Sequence, residues 1–153
     1  MYLKDIKIKN FRNYDSLSLQ VDKGINIIYG KNGQGKTNLL ESLYVLGLTK
    51  SHRSYIDNNL LQTGKDCFKL VGNLYEGEIK TKLELVFQEN TKFLKLDNNE
   101  IKMISDYISK MNIIIFYPDD LSLIKGSPSE RRRFLNSEIS QLYGEYLLVL
   151  NDY

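Results

Sequence analysis

The chain has 153 residues, 42% of them apolar and 26% charged, which is the composition of an ordinary globular domain. The net charge of +2 excludes a strong overall field for nucleic acid, and the single cysteine, Cys67, excludes an internal disulfide framework. No apolar run approaches the length of a membrane-spanning helix, and the first residues lack the apolar segment of a signal peptide, so we expect a cytoplasmic protein without a membrane anchor.

Two half-exposed strands are predicted at the start of the chain. Apolar and polar residues alternate over residues 2–9 and again over residues 16–22. The turn-like segment 10–15 joins the two, so a β-hairpin is predicted. Small-molecule kinases and GTPases usually begin with the strand that leads into their nucleotide loop, and a leading hairpin therefore argues against both classes.

A phosphate-binding loop is predicted next. Residues 30–37 match the pattern G-x-x-x-x-G-K-[ST] at every fixed position. The glycines allow positive φ and let backbone amides approach phosphate oxygens, while Lys36 reaches the β- and γ-phosphates and Thr37 ligates Mg²⁺. The helix that begins here adds its N-terminal dipole to the anion site. The predicted nucleotide-binding residues are Gly30, Lys31, Asn32, Gly33, Gln34, Gly35, Lys36 and Thr37.

The segments on either side of the loop agree with this interpretation. The apolar run 25–29 predicts a buried strand. Leu39, Leu43 and Leu46 form one stripe of a helix, which Gly47 is placed to end. Strand, glycine loop and helix therefore follow in the order that a nucleotide loop requires, which disfavours a glycine-rich turn with an unrelated lysine.

The middle of the chain predicts mainly strands. A polar loop over residues 49–54 holds the only histidine, His52, which lacks acidic or cysteine neighbours at metal-ligand spacing and is predicted to lie at the surface. A short helix is predicted over residues 56–62. Three strand-like runs separated by turn residues then predict an antiparallel meander over residues 68–75, 79–87 and 92–96.

The last third predicts a helix, a strand and a second helix. Residues 101–110 have a helical pattern, and the continuous apolar run 113–117 is typical of a central strand. Asp119 and Asp120 follow it in a way that resembles the acidic end of a Walker B strand. Because Tyr117 and Pro118 intervene, capping of a short helical turn at residues 119–125 is favoured over metal binding.

The final helix has a clear beginning. Ser127 is the predicted N-cap, Pro128 occupies the first helical position and Glu130 completes a capping box. Apolar residues continue along it at spacings of four and three, which predicts a narrow coiled-coil-like seam formed by Leu135, Ile139, Leu142, Tyr146 and Val149.

An arginine triplet lies just inside this helix. Arg131, Arg132 and Arg133 place positive charge where the helix macrodipole disfavours it, which suggests a role outside helix stability. One interpretation is contact with the phosphates of a nucleotide or of DNA. The other is a solvated basic face that pairs with Glu130 and Glu138. The sequence leaves both open.

Several segments together carry a resemblance to a known family. They are residues 1–14, the loop continuing through residues 36–41, residues 50–53 and, above all, the run over residues 116–135. Over essentially its whole length the chain resembles the RecF family of bacterial recombination mediators and gap-repair ATPases, which is similar to the heads of ABC-type ATPases such as SMC proteins.

The resemblance implies a fold and further site residues. It implies an α/β P-loop NTPase: an ABC-ATPase-like first lobe over residues 1–126, with a mixed sheet and an antiparallel subdomain, and the start of a helical second lobe over residues 127–153. It also implies that Arg12 and Asn32 line the nucleotide. Arg53 matches the arginine loop of SMC heads, which implies DNA sensing or contact in trans.

The resemblance likewise implies a function. Members bind ATP and Mg²⁺, form a homodimer on ATP, and bind gapped, single-stranded or double-stranded DNA. They act with RecO and RecR to load recombinase, support replication and feed the SOS response. The chain lacks a signature motif, a true Walker B and a D-loop, and only Gly144 follows Gly126. We therefore expect a truncated piece of a longer protein, with weak nucleotide binding, no catalytic residue and no ATPase activity of its own.

Three alternatives stand beside this interpretation. An SMC-like or RecN-like head belongs to the same wider class. A P-loop kinase or GTPase is disfavoured by the leading hairpin and, for the GTPase, by the lack of an Asn-Lys-x-Asp motif. A non-catalytic DNA-binding module using Lys4, Lys7, Lys9 and the arginine triplet would leave the phosphate loop without a role.

Overall fold

The computed structural model describes residues 1–116 and 127–151. The chain divides into two compact units, residues 1–102 and residues 103–153. The predicted boundary between a first and a second lobe, at residue 126, falls in the part that the structure does not describe. It stays a prediction.

The first unit is built on one antiparallel sheet. Its described strands are β1 (Tyr2–Phe11), β2 (Tyr14–Gln20), β3 (Cys67–Glu76), β4 (Ile79–Gln88), β5 (Thr91–Leu96) and β6 (Asn99–Ile101). In space they run in the order β2-β1-β3-β4-β5-β6. The predicted hairpin and three-stranded meander are confirmed, and β6 was missed because three residues are too few to show a pattern.

Helix α1 (Lys36–Leu48) packs against the apolar face of this sheet. A Cβ at Gly72 of β3 would lie 2.7 Å from Cδ2 of Leu46, so the helix approaches the strand closely at this glycine. The predicted helix is confirmed, but it continues through Gly47. It ends instead at Thr49, whose N–H makes the last helical bond, to the carbonyl of Val45, and whose left-handed φ of 59° turns the chain out of the helix.

Three phenylalanines form the aromatic part of the core. The rings of Phe11 and Phe68 meet edge to face at 5.3 Å, and those of Phe68 and Phe87 stack at the same distance. All three side chains are buried. Phe11 ends β1 next to Arg12, so the aromatic cluster fixes the place where the first hairpin turns.

The predicted buried strand at residues 25–29 is wrong. No strand is described there, and Ile25 and Tyr29 are 92% and 89% exposed. An apolar run becomes a buried strand only when other strands pair with its edges, and the described sheet from β2 to β6 does not include this segment. The predicted nucleotide loop therefore follows an irregular, solvent-exposed segment.

The central strand predicted at residues 113–117 is also not formed over residues 113–116, the part of it that the structure describes. Residues 113–116 are irregular, and Phe116 is 86% exposed. The same physical reason applies, because no strand in the described part of the chain pairs with them. Tyr117, Asp119 and Asp120, with the predicted turn 119–125, lie outside the described residues. The helix predicted over residues 56–62 is a 3₁₀ turn, Asp57–Leu60.

The second unit contains α2 (Ile104–Ile108), α3 (Pro128–Leu142) and α4 (Gly144–Asn151). The capping box of α3 is confirmed, since the hydroxyl of Ser127 accepts from the amide of Glu130 and the Glu130 carboxylate accepts from the amide of Ser127. The prediction of one continuous helix with an apolar seam from Leu135 to Val149 is wrong, because the helix breaks at Tyr143. A Cβ at Gly144 would lie 2.8 Å from the Ser105 carbonyl oxygen, so α4 begins where it packs tightly on α2. None of the described helices is long and apolar enough to cross a bilayer.

Candidate functional site

The predicted nucleotide loop, residues 30–37, curls at the surface and runs into the start of α1. Gly33 and Gly35 adopt φ of 81° and 99°, a region that favours glycine. A Cβ built at Gly30 or Gly33 would meet no atom within 4 Å, and residues 30–34 are exposed. The backbone of the loop is therefore open to an incoming anion.

The Lys36 side chain folds back across the loop. Its Nζ donates to the carbonyl oxygens of Gly30 and Lys31, at 2.7 Å each. An ammonium group has three donor hydrogens, so a further N–H remains for an anion. The positive charge is thus held at the centre of the curl.

The N-terminus of α1 opens directly from the loop. Its first helical bond runs from the amide of Leu39 to the carbonyl of Gly35, at 2.9 Å. No side-chain hydrogen bond in the described part of the chain caps the helix at Gly35. The amides of the first turn therefore point out of the helix, as in anion sites at helix N-termini.

The turn between β1 and β2 supports the loop from one side. The hydroxyl of Tyr14 donates to the carbonyl of Gly35 at 3.2 Å. A Cβ at Gly35 would lie 2.7 Å from Nδ2 of Asn13, and Asn38 Nδ2 donates to Asn13 Oδ1 at 2.9 Å. Burial raises the pKa of Tyr14, which keeps its hydroxyl protonated as a donor. The sequence interpretation did not assign Asn13 or Tyr14 to the site.

Arg12 is held by a buried carboxylate. Its Nε and Nη2 donate to Oε2 and Oε1 of Glu41 at 2.9 and 2.7 Å, and its Nη1 donates to the carbonyl of Asn59 at 2.7 Å. The Glu41 side chain is 0% exposed. The structure therefore pairs Arg12, which the family resemblance assigns to the nucleotide, with an acid that the sequence interpretation did not single out.

Arg53 reaches the same carboxylate from another loop. Its Nη1 lies 3.2 Å from Glu41 Oε2 and donates to Asn38 Oδ1 at 2.9 Å, while the Ser51 hydroxyl donates to Glu41 Oε1 at 2.6 Å. We call Arg12, Glu41, Ser51 and Arg53 the Glu41 cluster. Asn38 follows Thr37 directly, so the cluster lies beside the first turn of α1.

A signal for Glu41 was present in the sequence. Glu41, Val45 and Leu48 recur at helical spacing on one face, and both apolar members are buried. An acid on the buried face of a helix requires a cationic or hydrogen-bonding partner. The partner could not be named, because Arg12 lies 29 residues away in the chain.

The ionisation of Glu41 predicts a pH dependence of stability. Burial alone would raise its pKa, but the hydrogen bonds from Arg12 and Ser51 and the charges of Arg12 and Arg53 hold it below the ordinary value of 4.5. A lowered folded-state pKa stabilises the fold above the unfolded-state pKa, and this contribution is lost as the pH falls through the folded-state pKa. We expect the free energy of unfolding to drop more on acidification below 4.5 in the native chain than in Glu41→Gln. Urea unfolding across that pH range measures this, and equal losses in both proteins would contradict it.

Thr37 is exposed at the first turn of α1, where a phosphate-bound cation would lie. Among the described residues, no group of three His, Cys, Asp or Glu side chains could hold a metal ion. The assignment of Thr37 as a ligand of nucleotide-bound Mg²⁺ stays a prediction. Arg131, Arg132 and Arg133 are exposed at the start of α3, and both interpretations of them stay predictions.

Comparison with known proteins places this geometry in a family. The family model described as AAA ATPase domain matches residues 1–152. The chain belongs to the AAA ATPase domain family. The chain is 42% identical over all 153 residues to the DNA replication and repair protein RecF of Bacillus cytotoxicus and to that of Bacillus thuringiensis. The chain spans 41% of the length of these relatives.

Comparison with solved structures supports the RecF resemblance. The recombination mediator protein RecF with ATP matches with a TM-score of 0.92 and 33% identity, covering 99% of this chain and 42% of that one. RecF with ATPrS matches with a TM-score of 0.91 and 33% identity, covering 97% and 41%. The SMC head of Thermotoga maritima, at a TM-score of 0.57 and 15% identity over 69% of this chain, shows the fold alone. The RecF resemblance and the ABC-like P-loop fold class are confirmed.

Proposed function

We propose that this chain is the nucleotide-binding part of an ATP-dependent DNA replication and repair protein. The observation that carries the proposal is the exposed loop 30–37, curled at an uncapped helix N-terminus with the Lys36 ammonium held across it. The named function of the RecF relatives and the ATP in the matching RecF structures support the same ligand and the same process.

The residues of the loop have separate tasks in binding. The amides that follow Gly33 and Gly35 would donate to phosphate oxygens, and Lys36 would exchange its carbonyl contacts for stronger charge-assisted ones. Asn32, Lys31 and Gln34 line the curl. Thr37 would supply a hydroxyl ligand to Mg²⁺, which would neutralise phosphate charge. Hydrolysis also needs a group that positions water, so binding without turnover is expected of this chain.

The finer function belongs to the whole protein. We propose that it binds ATP and Mg²⁺, dimerises on ATP, binds DNA at gaps and acts with RecO and RecR to load recombinase, in the cytoplasm and in support of the SOS response. Arg53 and the arginine triplet are the proposed DNA or phosphate contacts. The family resemblance and the exposure of these four arginines support this assignment.

The Lys36→Ala variant tests the proposed ligand. It removes the ammonium group from the curl, and loss of two charge-assisted bonds is expected to weaken binding about a hundredfold. Titration calorimetry with ATP and Mg²⁺ measures the change. Lys80→Ala, on the exposed side of β4, removes an equal charge far along the chain and serves as the control. ATP binding that is equal in the native chain and in Lys36→Ala would refute the proposal.

A further inference from the structure

In the Glu41 cluster, one buried carboxylate pairs with two arginines at once. The Glu41 carboxylate is 0% exposed, yet it accepts hydrogen bonds from Arg12, Ser51 and Arg53. A buried carboxylate is tolerated only when charges and hydrogen bonds compensate its lost hydration. Here the compensation comes from two arginines on two different loops, so the acid also decides where both guanidinium groups lie.

The two arginines differ in how much they expose. The Arg12 side chain is 21% exposed and donates to Glu41 and Asn59. The Arg53 side chain is 43% exposed and, within the described part of the chain, donates through Nη1 alone, to Glu41 and Asn38. Arg53 thus keeps N–H groups on Nε and Nη2 beyond these contacts. Two guanidinium charges against one carboxylate leave the Glu41 cluster with one net positive charge.

The cluster is joined to the nucleotide loop by a chain of contacts. Arg53 bonds Asn38, Asn38 bonds Asn13, and Asn13 lies against Gly35. Asn38 also follows Thr37 in the first turn of α1. A net positive charge with donors to spare therefore lies beside the place where the proposed phosphates would bind.

We propose that Glu41 is a positioning residue for nucleotide binding, which holds Arg12 and Arg53 beside the loop so that Arg53 contacts the triphosphate. The inference rests on the proposed function and adds to it the residue that organises the arginines. Without the carboxylate, two guanidinium groups would face each other uncompensated and would separate. Arg53 would then leave the loop, although Lys36 and the glycines stay in place.

A double-mutant cycle tests the proposal. Glu41→Gln is expected to weaken ATP binding about tenfold, and Arg53→Ala, which leaves the Arg12–Glu41 pair intact, by a similar factor. If Glu41 acts through Arg53, the double variant binds no more than about twofold worse than Glu41→Gln alone. Additive losses would overturn the proposal, because a merely structural role of Glu41 is independent of Arg53.

A matched control distinguishes the positioning of the arginines by Glu41 from a general effect on fold stability. Glu84 is also buried and paired, with Lys69 at 2.7 Å, but it lies on the sheet. Glu84→Gln is expected to lower the melting temperature and to leave ATP affinity within about twofold. If Glu41→Gln does not fold, Glu41→Asp, which retracts the carboxylate but keeps its charge, replaces it in the same cycle.

The role of Glu41 and the nucleotide site itself can be refuted independently of each other. ATP binding that depends on Lys36 but is unchanged in Glu41→Gln and Arg53→Ala would overturn only the role of Glu41. Binding that is indifferent to Lys36 would instead refute the nucleotide site itself.

Discussion

Replacing Gly35 with alanine is expected to abolish most nucleotide binding. Gly35 has a φ of 99°, where an L-residue is strained by ~1–2 kcal/mol. The new methyl group would also lie 2.7 Å from Nδ2 and 2.8 Å from Oδ1 of Asn13, and 3.0 Å from the Tyr14 hydroxyl. Either the backbone or the supporting turn must move, and the amides at the start of α1 move with it. We expect ATP affinity to fall by at least about thirtyfold, measured by titration calorimetry.

A glycine outside the loop provides the control for Gly35→Ala. Gly64 has a similar positive φ of 79°, and a Cβ there meets no atom within 4 Å. Gly64→Ala should therefore cost stability through backbone strain and leave ATP affinity unchanged. Truncating the opposing side chain in Gly35→Ala/Asn13→Ala should recover part of the lost affinity, since it removes the two closest contacts and leaves the contact with Tyr14 and the backbone strain. Equal ATP affinities in Gly35→Ala and the native chain would contradict the geometry of the loop.

Replacing Phe68 with alanine is expected to cause the largest loss of stability. Phe68 is fully buried and contacts both Phe11 and Phe87. Phenylalanine-to-alanine changes in cores cost about 3–5 kcal/mol, which is a large part of the ~5–15 kcal/mol that stabilises a domain. Phe11 is the last residue of β1, directly before the turn that supports Gly35. The cavity left by Phe68→Ala would therefore also weaken the support of the phosphate loop. Urea unfolding measures the loss.

An exposed phenylalanine on the same sheet is the matched control. Phe93 of β5 is 43% exposed, so Phe93→Ala removes the same atoms with little change in burial. We expect it to cost less than about 1 kcal/mol. If Phe68→Ala were no more damaging than Phe93→Ala, the aromatic cluster could not be the centre of the core.

The parts of the fold that the sequence predicts correctly are those specified by local pattern. Strict alternation marks β1, β2 and β4, and turn residues separate β3, β4 and β5. The helix after the loop follows from its apolar stripe. The strands predicted at residues 25–29 and 113–116 are not formed, because a continuous apolar run indicates that a segment is suited to the inside of a sheet but does not identify the strands that would pair with it. In the described part of the chain no strand does.

The residues of the candidate site likewise include some that local sequence predicts and others that it does not. The loop residues from Gly30 to Thr37 are recognisable because phosphate binding fixes their spacing within eight positions. The supports of the loop are not local. Tyr14 reaches Gly35 across 21 residues, and Arg12 reaches Glu41 across 29. Pairings of that kind depend on how the first hairpin folds over α1, which neither periodicity nor spacing reveals.

The most direct test of the nucleotide loop is an amide chemical-shift titration of the isotope-labelled chain with ATP and Mg²⁺. If backbone amides bind the phosphates, the resonances of Gly33, Gly35, Lys36 and Thr37 shift first and furthest, and adenosine at the same concentration leaves them in place. Lys36→Ala should suppress these shifts. Shifts confined to residues outside 30–37, or equal shifts with adenosine, would contradict a triphosphate site in this loop.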